Sequence, residues 1–137
     1  MKARITCIAL LLLSGAGTVF AADTPASLIA GYAAEAAKTT PGFTPSALRG
    51  QNFITKQWPV SDKMPSCTTC HTTNLKATGK HAITDKPIEP LAPSANPERF
   101  TELKKVEKWF RRNCKEVVGR ECTAEEKADF IQYVISQ

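Results

Sequence analysis

The feature that most restricts the fold of this sequence is its middle segment, residues 61–100, which contains five prolines. Proline lacks a backbone N–H, and its ring clashes with the preceding helical turn, so no long helix can cross this segment. A stretch of this length without regular structure is unusual in a compact domain. We therefore expect the segment to wrap around a prosthetic group, which would supply the apolar core that loops cannot build.

The same segment contains the sequence CTTCH at residues 67–71. C-x-x-C-H is the attachment signature of c-type haem. The thiols of Cys67 and Cys70 would form thioether bonds to the porphyrin vinyl groups, and His71 would bind one face of the iron as the proximal ligand. The motif therefore predicts one covalently attached haem c.

Two other kinds of site use the same residue types. A redox dithiol of the thioredoxin kind would need a βαβ pattern near its C-x-x-C motif, and the sequence has none. A zinc site would need both cysteine pairs, but the second pair, Cys114 and Cys122 in CKEVVGREC, does not have the usual spacing of zinc ligands. We expect Cys114 and Cys122 to form a disulfide that closes a short loop, with Gly119 providing the turn.

Residues 1–21 have the pattern of a secretory signal peptide. Lys2 and Arg4 give a positive start, and an apolar run follows over residues 5–13. This run is shorter than the roughly 20 residues that a transmembrane helix needs. We expect cleavage after Ala21 or one residue later, with export to the periplasm.

The remaining residues, 22–137, would form one monohaem cytochrome c domain. Loss of Lys2 and Arg4 lowers the net charge from +5 to +3, and two haem propionates would bring it near neutral. The basic composition is therefore no evidence for nucleic-acid binding. One cluster of basic residues is either a solvated helix face or a docking patch for an acidic partner; it consists of Lys104, Lys105, Lys108, Arg111, Arg112 and Lys115.

Four helices are predicted outside the middle segment, so the fold class is all-α. Thr24 followed by Pro25 is typical of a helix start, and Thr123 with Glu126 forms a capping box for the last helix. The predicted ranges are 24–38, 46–57, 101–114 and 123–136.

Each predicted helix has an apolar face. These faces consist of Leu28, Ile29, Tyr32 and Ala36; of Leu48, Phe53 and Ile54; of Val106, Trp109 and Phe110; and of Phe130, Ile131, Val134 and Ile135. Gly50 interrupts the second helix, where glycine costs about 1 kcal/mol relative to alanine. A glycine at this position indicates that another element approaches the helix closely.

The residue on the iron face opposite His71 decides what the haem can do. Electron-transfer cytochromes usually have a methionine there, but Met1 lies in the signal peptide and Met64 precedes the motif by only three residues. His81 is the other histidine, and Asn113 ends a helix beside the expected disulfide. A lysine, or no ligand at all, is also possible, and the residues themselves do not decide among these alternatives.

Four stretches, PSCTTCH, IEPLAPSANPERF, VEKWFRRNC and GRECTAEEKAD, resemble the sphaeroides haem protein family. The resemblance extends from SLIAGYAAEAA to the C-terminus. Members are exported monohaem class I c-type cytochromes that bind oxygen. The resemblance implies a class I cytochrome c-like fold, in which Gly50 would meet Phe130 or Tyr133. An additional N-terminal helix, residues 26–38, precedes this fold, and the sequence does not indicate where it packs.

The resemblance also implies roles for individual residues. Asn113 would be the distal ligand, Cys114 and Cys122 would form the disulfide, and His81 receives no role. The electron donors would be a dihaem cytochrome c and a membrane cytochrome b.

The function expected from these residues is a high-spin cytochrome that accepts electrons and binds O2 or NO when Asn113 leaves the iron on reduction. Imidazole is a stronger haem ligand than an amide, so a six-coordinate bis-histidine electron carrier that uses His81 stays open. A haem enzyme of the peroxidase or NO-converting type is a further alternative. It would require an acid–base residue on the distal side, for which His81 is the obvious candidate.

Overall fold

The computed structural model describes residues 22–137, and the expected signal peptide lies outside the described residues. Five helices and two very short strands make up this part of the chain, which confirms the prediction of an all-α fold. In chain order they are α1 (Pro25–Ala36), α2 (Ala47–Thr55), α3 (Thr68–His71), β1 (Gly79–Lys80), β2 (Pro87–Ile88), α4 (Leu103–Asn113) and α5 (Ala124–Val134). A π-helical turn, Cys114–Val118, follows α4 directly.

The starts of the outer helices follow from side-chain caps. The Thr24 hydroxyl accepts a hydrogen bond from the backbone N–H of Ser27 at 3.1 Å. At α5, the Thr123 hydroxyl accepts from the N–H of Glu126 at 3.2 Å, and the Glu126 carboxylate accepts from the N–H of Thr123 at 2.9 Å. The predicted capping box is therefore confirmed. The four long helices end one or two residues before the predicted positions.

Helix α5 is the centre of the core, because both α1 and α2 pack against it. Ala128, Ile131 and Val134 on α5 are completely buried. The additional N-terminal helix α1 thus has a defined place on α5. A polar contact extends this arrangement to α4, since Glu107 accepts hydrogen bonds from the Tyr32 hydroxyl at 2.6 Å and from the Lys127 ammonium at 2.9 Å.

The close approach expected at Gly50 is present where α2 crosses α5. A Cβ atom at this position would overlap the carbonyl oxygen of Asp129 and would lie 2.8 Å from the Cβ of Tyr133. Of the two partners expected, Tyr133 makes the contact, and the second contact is with Asp129 rather than with Phe130. The Asp129 carboxylate also accepts a hydrogen bond from the Arg49 Nε at 2.6 Å, which adds an ion pair to the crossing.

Three residues assigned to apolar helix faces are exposed instead. Leu48 is 66% exposed, since α2 buries only the side that carries Gly50 and Ile54. Trp109 is 39% exposed, and Ile135, which lies just beyond the end of α5, is 37% exposed.

The middle segment contains little regular structure, as expected. It includes the single helical turn α3 and an antiparallel hairpin in which Gly79 lies opposite Ile88. Within residues 22–137, no helix combines the length and the apolar character that crossing a membrane requires.

The Gly50 crossing leads to a stability prediction. Replacing Gly50 with alanine should lower the free energy of unfolding by about 1–3 kcal/mol. Overpacking forces α2 away from α5, and the cost of this displacement exceeds the ~1 kcal/mol that alanine gains in helix propensity. Denaturant unfolding of the haem-loaded protein measures the change. Gly31→Ala on α1 is the matched control, since no atom lies within 4 Å of the added Cβ, and it should stabilise. An equally stable Gly50→Ala protein would contradict the close contact.

Candidate functional site

A cavity of about 560 Å³ lies between the middle segment and helices α4 and α5. This volume is within the range of roughly 300–1,000 Å³ that is usual for cofactor sites. All of the residues singled out from the sequence as attachment or iron-ligand candidates line it: Cys67, Cys70, His71, His81 and Asn113. Much of the remaining wall is apolar and includes Phe53, Met64, Leu91, Phe100, Val106, Trp109, Phe110, Val117, Val118 and Phe130.

The CTTCH motif forms the single helical turn α3 on one wall of this cavity. The backbone N–H of His71 donates to the carbonyl of Cys67 at 3.0 Å, which closes the turn. Thr72 follows with a φ of 61° and directs the chain away from the helix. A residue with a branched side chain rarely adopts this conformation, so the end of the motif is held under backbone strain.

The β-hairpin supports the motif from the side. A Cβ atom at Gly79 would overlap the carbonyl oxygen of Cys70 and would lie 3.2 Å from the Cα of His71. The backbone N–H of Ala82 also donates to the Cys70 sulfur at 3.4 Å. Glycine is therefore required at this strand position, and the contact fixes the two cysteines and the histidine relative to the hairpin.

Burial determines the protonation of the motif residues. It lowers the pKa of His71 to about 4, with a smaller contribution from the positive charge of Arg99. The imidazole is therefore neutral near pH 7, as an iron ligand must be. Burial also raises the pKa of Cys67 to about 11. A catalytic dithiol needs a lowered thiol pKa, so this environment argues against the redox-dithiol alternative.

Asn113 enters the cavity from a different element, as the last residue of α4. It is half-buried, and its side chain caps neither α4 nor the π-helical turn that follows. The carboxamide is therefore available to a group inside the cavity. The α-to-π transition occurs directly after this residue, and such π-helical turns are frequent at functional sites.

The residue after Asn113 is covalently tied to the next loop. Cys114 and Cys122 form the disulfide that the sequence predicted, with their Cα atoms 5.7 Å apart. Gly119 ends the π-helical turn with a φ of 80°, as the turn role assigned to it requires. The disulfide uses both sulfurs, so the four-cysteine zinc site is excluded. In the described part of the chain, no group of three or more His, Cys, Asp or Glu side chains is arranged to hold a metal ion.

His81 lies in the hairpin turn that packs beside the motif. Its Nδ1 accepts hydrogen bonds from the backbone N–H groups of Ile83 at 3.2 Å and Thr84 at 3.4 Å. This pattern leaves Nε2 as the protonated nitrogen of the neutral ring. His81 and Asn113 therefore line one cavity from separate elements, the hairpin and α4.

Two further residues of the wall bear on the site. Met64, which precedes the motif by three residues, also lines the cavity. Arg99 also lines it and was not among the residues predicted from the sequence to form the site. Arg99 lies at the end of the proline-rich segment, but this position alone does not predict a site residue, because an arginine in a loop is usually solvated.

These features fit a covalently attached haem. The donor set is a pair of thiols and a neutral imidazole on one helical turn, facing a large apolar cavity. The side chain of Asn113 enters the same cavity, and aromatic rings form much of its wall.

Comparison with known proteins agrees with this interpretation. Residues 41–134 match a family described as a domain of unknown function, DUF1924. The chain is 47% identical to the cytochrome c-type protein SHP of Cereibacter sphaeroides over 124 residues, which cover 89% of this chain and 92% of that protein. It is 39% identical to cytochrome c'' of Methylophilus methylotrophus over 94 residues, which cover 68% of this chain and 65% of that protein.

Solved structures give the same result at the level of the fold. The structure of oxidised SHP, an oxygen-binding cytochrome c, matches with a TM-score of 0.77 and 44% identity, covering 85% of this chain and 99% of that chain. A solution structure of the Methylophilus methylotrophus cytochrome c'', described as giving insights into haem-ligand detachment, matches with a TM-score of 0.72 and 35% identity, covering 82% and 93%. This chain therefore has a class I cytochrome c-like fold, carries one covalently attached haem c, and belongs to the sphaeroides haem protein family.

Proposed function

We propose that this protein is an exported monohaem cytochrome that accepts electrons and binds a small diatomic gas, O2 or NO, at its haem iron. Residues 1–21 direct export to the periplasm, and residues 22–137 form the cytochrome domain. The description of SHP as an oxygen-binding cytochrome c supports the choice of gas. Cys67 and Cys70 carry the thioether bonds, and His71 is the proximal ligand.

Asn113 is the distal ligand in this proposal. The observation that carries it is that an uncapped carboxamide shares the cavity with His71 and comes from a separate element. The adjacent Cys114 is held by the disulfide, so the backbone at this point is fixed while the side chain stays free to rotate.

The chemistry follows from the weakness of an amide as a ligand. When bound, the haem would supply a redox-active iron that can take a diatomic ligand. The Asn113 carboxamide oxygen is neutral and hard, so it would bind ferric iron weakly and ferrous iron more weakly still. The Asn113 side chain would be free to rotate aside when the iron is reduced, and its NH2 group could then donate a hydrogen bond to the gas molecule. The disulfide keeps the backbone in place throughout.

A bis-histidine electron carrier is the second candidate, because His81 lines the same cavity. Two backbone N–H groups already occupy its Nδ1, and its hairpin packs on the same turn that carries His71. To become the distal ligand, His81 would have to leave its position in the hairpin turn. We therefore rank Asn113 first and make His81 the decisive control.

The distal ligand is tested by comparing Asn113→Ala with His81→Ala and Met64→Leu. Loss of the Asn113 amide should change the ferric absorption spectrum and should speed O2 dissociation from the ferrous protein about tenfold. This factor corresponds to one lost hydrogen bond of about 1.4 kcal/mol. Absorption spectra and stopped-flow kinetics with O2 and CO provide the measurements.

The two control variants should keep the wild-type ferric spectrum. A ferric spectrum that changes in His81→Ala but not in Asn113→Ala would establish the electron-carrier alternative. A change confined to Met64→Leu would assign the distal position to the methionine.

Electrons would reach the haem across the exposed side of α4. We call this side the basic face; it consists of Lys104, Lys105, Lys108, Arg111, Arg112 and Lys115. Trp109 lies exposed between Lys108 and Arg112, whose charged groups are each 5.6 Å from an aromatic ring centroid of the indole. Lys105, Trp109 and Arg112 also line the haem cavity, so the basic face reaches the edge of the prosthetic group.

The basic face favours a donor with an acidic surface. Two of its cations are paired within the protein, Arg112 with Glu116 and Lys115 with Glu121. The other four form no ion pair within residues 22–137. We propose that the donors implied by the family, a dihaem cytochrome c and a membrane cytochrome b, dock here.

The docking proposal predicts a salt-dependent rate. Lys108→Glu should slow reduction by a dihaem cytochrome c about three- to tenfold at low ionic strength, and the difference should shrink as salt screens exposed charges. Stopped-flow reduction at several salt concentrations measures this. Lys38→Glu, at an exposed position just after the end of α1 and away from the cavity, makes the same charge change and should have little effect. Equal slowing by both variants would show that net charge, and not this face, controls the encounter.

A further inference from the structure

Arg99 is a half-buried cation in the cavity wall that forms no ion pair within residues 22–137. Its Nε donates to the carbonyl of Pro90 at 2.8 Å, and its Nη2 donates to the carbonyl of Glu89 at 2.6 Å. Both acceptors are neutral backbone groups. A guanidinium has five N–H donors, so three donors remain without an acceptor, and no carboxylate of the described residues lies within ion-pair distance of the guanidinium.

The backbone holds Arg99 in this position from both sides. Its two hydrogen bonds tie it to the chain nine and ten residues earlier. On the other side, Phe100 has a φ of 61°, a conformation that is rare for an aromatic residue. The Phe100 side chain is buried, with its ring centroid 6.5 Å from that of Phe130. Such strain persists where the surroundings determine the conformation, so the guanidinium is fixed in place.

A fixed cation of this kind attracts an anion to the cavity. Removing a charged group from water costs free energy unless a partner compensates it, and burial lowers the pKa of Arg99. The carboxylate of Glu89 attracts the guanidinium without reaching it. Arg99 and His71 line the same cavity, so an anion held by Arg99 would lie inside the site that the attachment motif faces.

We propose that Arg99 binds a propionate carboxylate of the haem. A haem carries two propionates, and a planar guanidinium with free donors matches a carboxylate through paired hydrogen bonds. Arg112 is the other arginine in the cavity wall, but Glu116 already accepts its Nε–H at 3.1 Å. The proposal rests on the covalent haem alone and is independent of the gas ligand and of Asn113.

The reduction potential tests the pair against a purely structural role of Arg99. Arg99→Met removes a positive charge near the iron and should favour the ferric state about tenfold, a fall of about 59 mV for a one-electron couple. Arg99→Lys keeps the charge and should stay close to the wild type. Arg112→Met is the matched control and should shift the potential much less, since Glu116 compensates that arginine.

If Arg99 only held the carbonyls of Pro90 and Glu89 in place, its variants would behave differently. Arg99→Lys and Arg99→Met would then lose thermal stability to the same extent, with the potential unchanged in both. This result would overturn the proposal.

A second measurement decides the case if the methionine variant does not mature. In protein with ¹³C-labelled propionate carboxyl groups, infrared spectra follow the ionisation of each carboxylate. One of them should titrate at least about one pH unit below the other, because a nearby cation favours the charged form, and the gap should narrow in Arg99→Lys. Two carboxylates that titrate together in the wild type would overturn the proposal.

Discussion

The contact on which the haem site depends is the one between the attachment turn α3 and strand β1. Gly79 lies so close to the carbonyl of Cys70 that no side chain fits between them. Prolines keep the surrounding segment out of long helices, so its path must be set by point contacts of this kind. Here the contact sets the position of the two thiols and of the imidazole together. A segment that contributes little regular structure thereby presents three chemically defined groups to one cavity.

The helical half of the molecule fixes the opposite wall by different means. Helix α5 packs against α1 and α2, and Glu107 links α4 to Tyr32 and Lys127. This packing holds α4 so that its last residue, Asn113, lines the cavity. The disulfide at Cys114 then removes most of the freedom that a helix end would normally have. What remains is rotation of one short side chain, which is the motion that the distal role proposed for Asn113 would require.

Much of this arrangement could be inferred from the sequence, because the relevant signals are local. Caps, prolines and C-x-x-C-H act over a few residues, and they gave the helices, the loop-rich segment and the attachment motif. Gly50 marked a close approach because glycine inside a helix is otherwise costly. The residue that approaches Gly50 was harder to predict, because the contact involves the backbone of Asp129, and a backbone contact leaves no pattern in the sequence. Leu48 and Trp109 were misjudged because helical periodicity identifies an apolar side chain without showing whether a neighbouring element covers it.

The half-buried charge of Arg99 and the exposed charges of the basic face act over different distances. In our proposals the first bears on the electron affinity of the iron and the second on the choice of partner. Arg99 is half-buried in an apolar wall, where charge interactions are strong and poorly screened. With the haem bound, a charge in such a place would change the relative stability of ferric and ferrous iron and would have little influence on a distant partner. The basic face on α4 is exposed and screened by salt, so in our proposal it would affect encounters with other proteins and contribute little to the potential. If both proposals hold, electron affinity and partner choice depend on different residues, and each can change in evolution without the other.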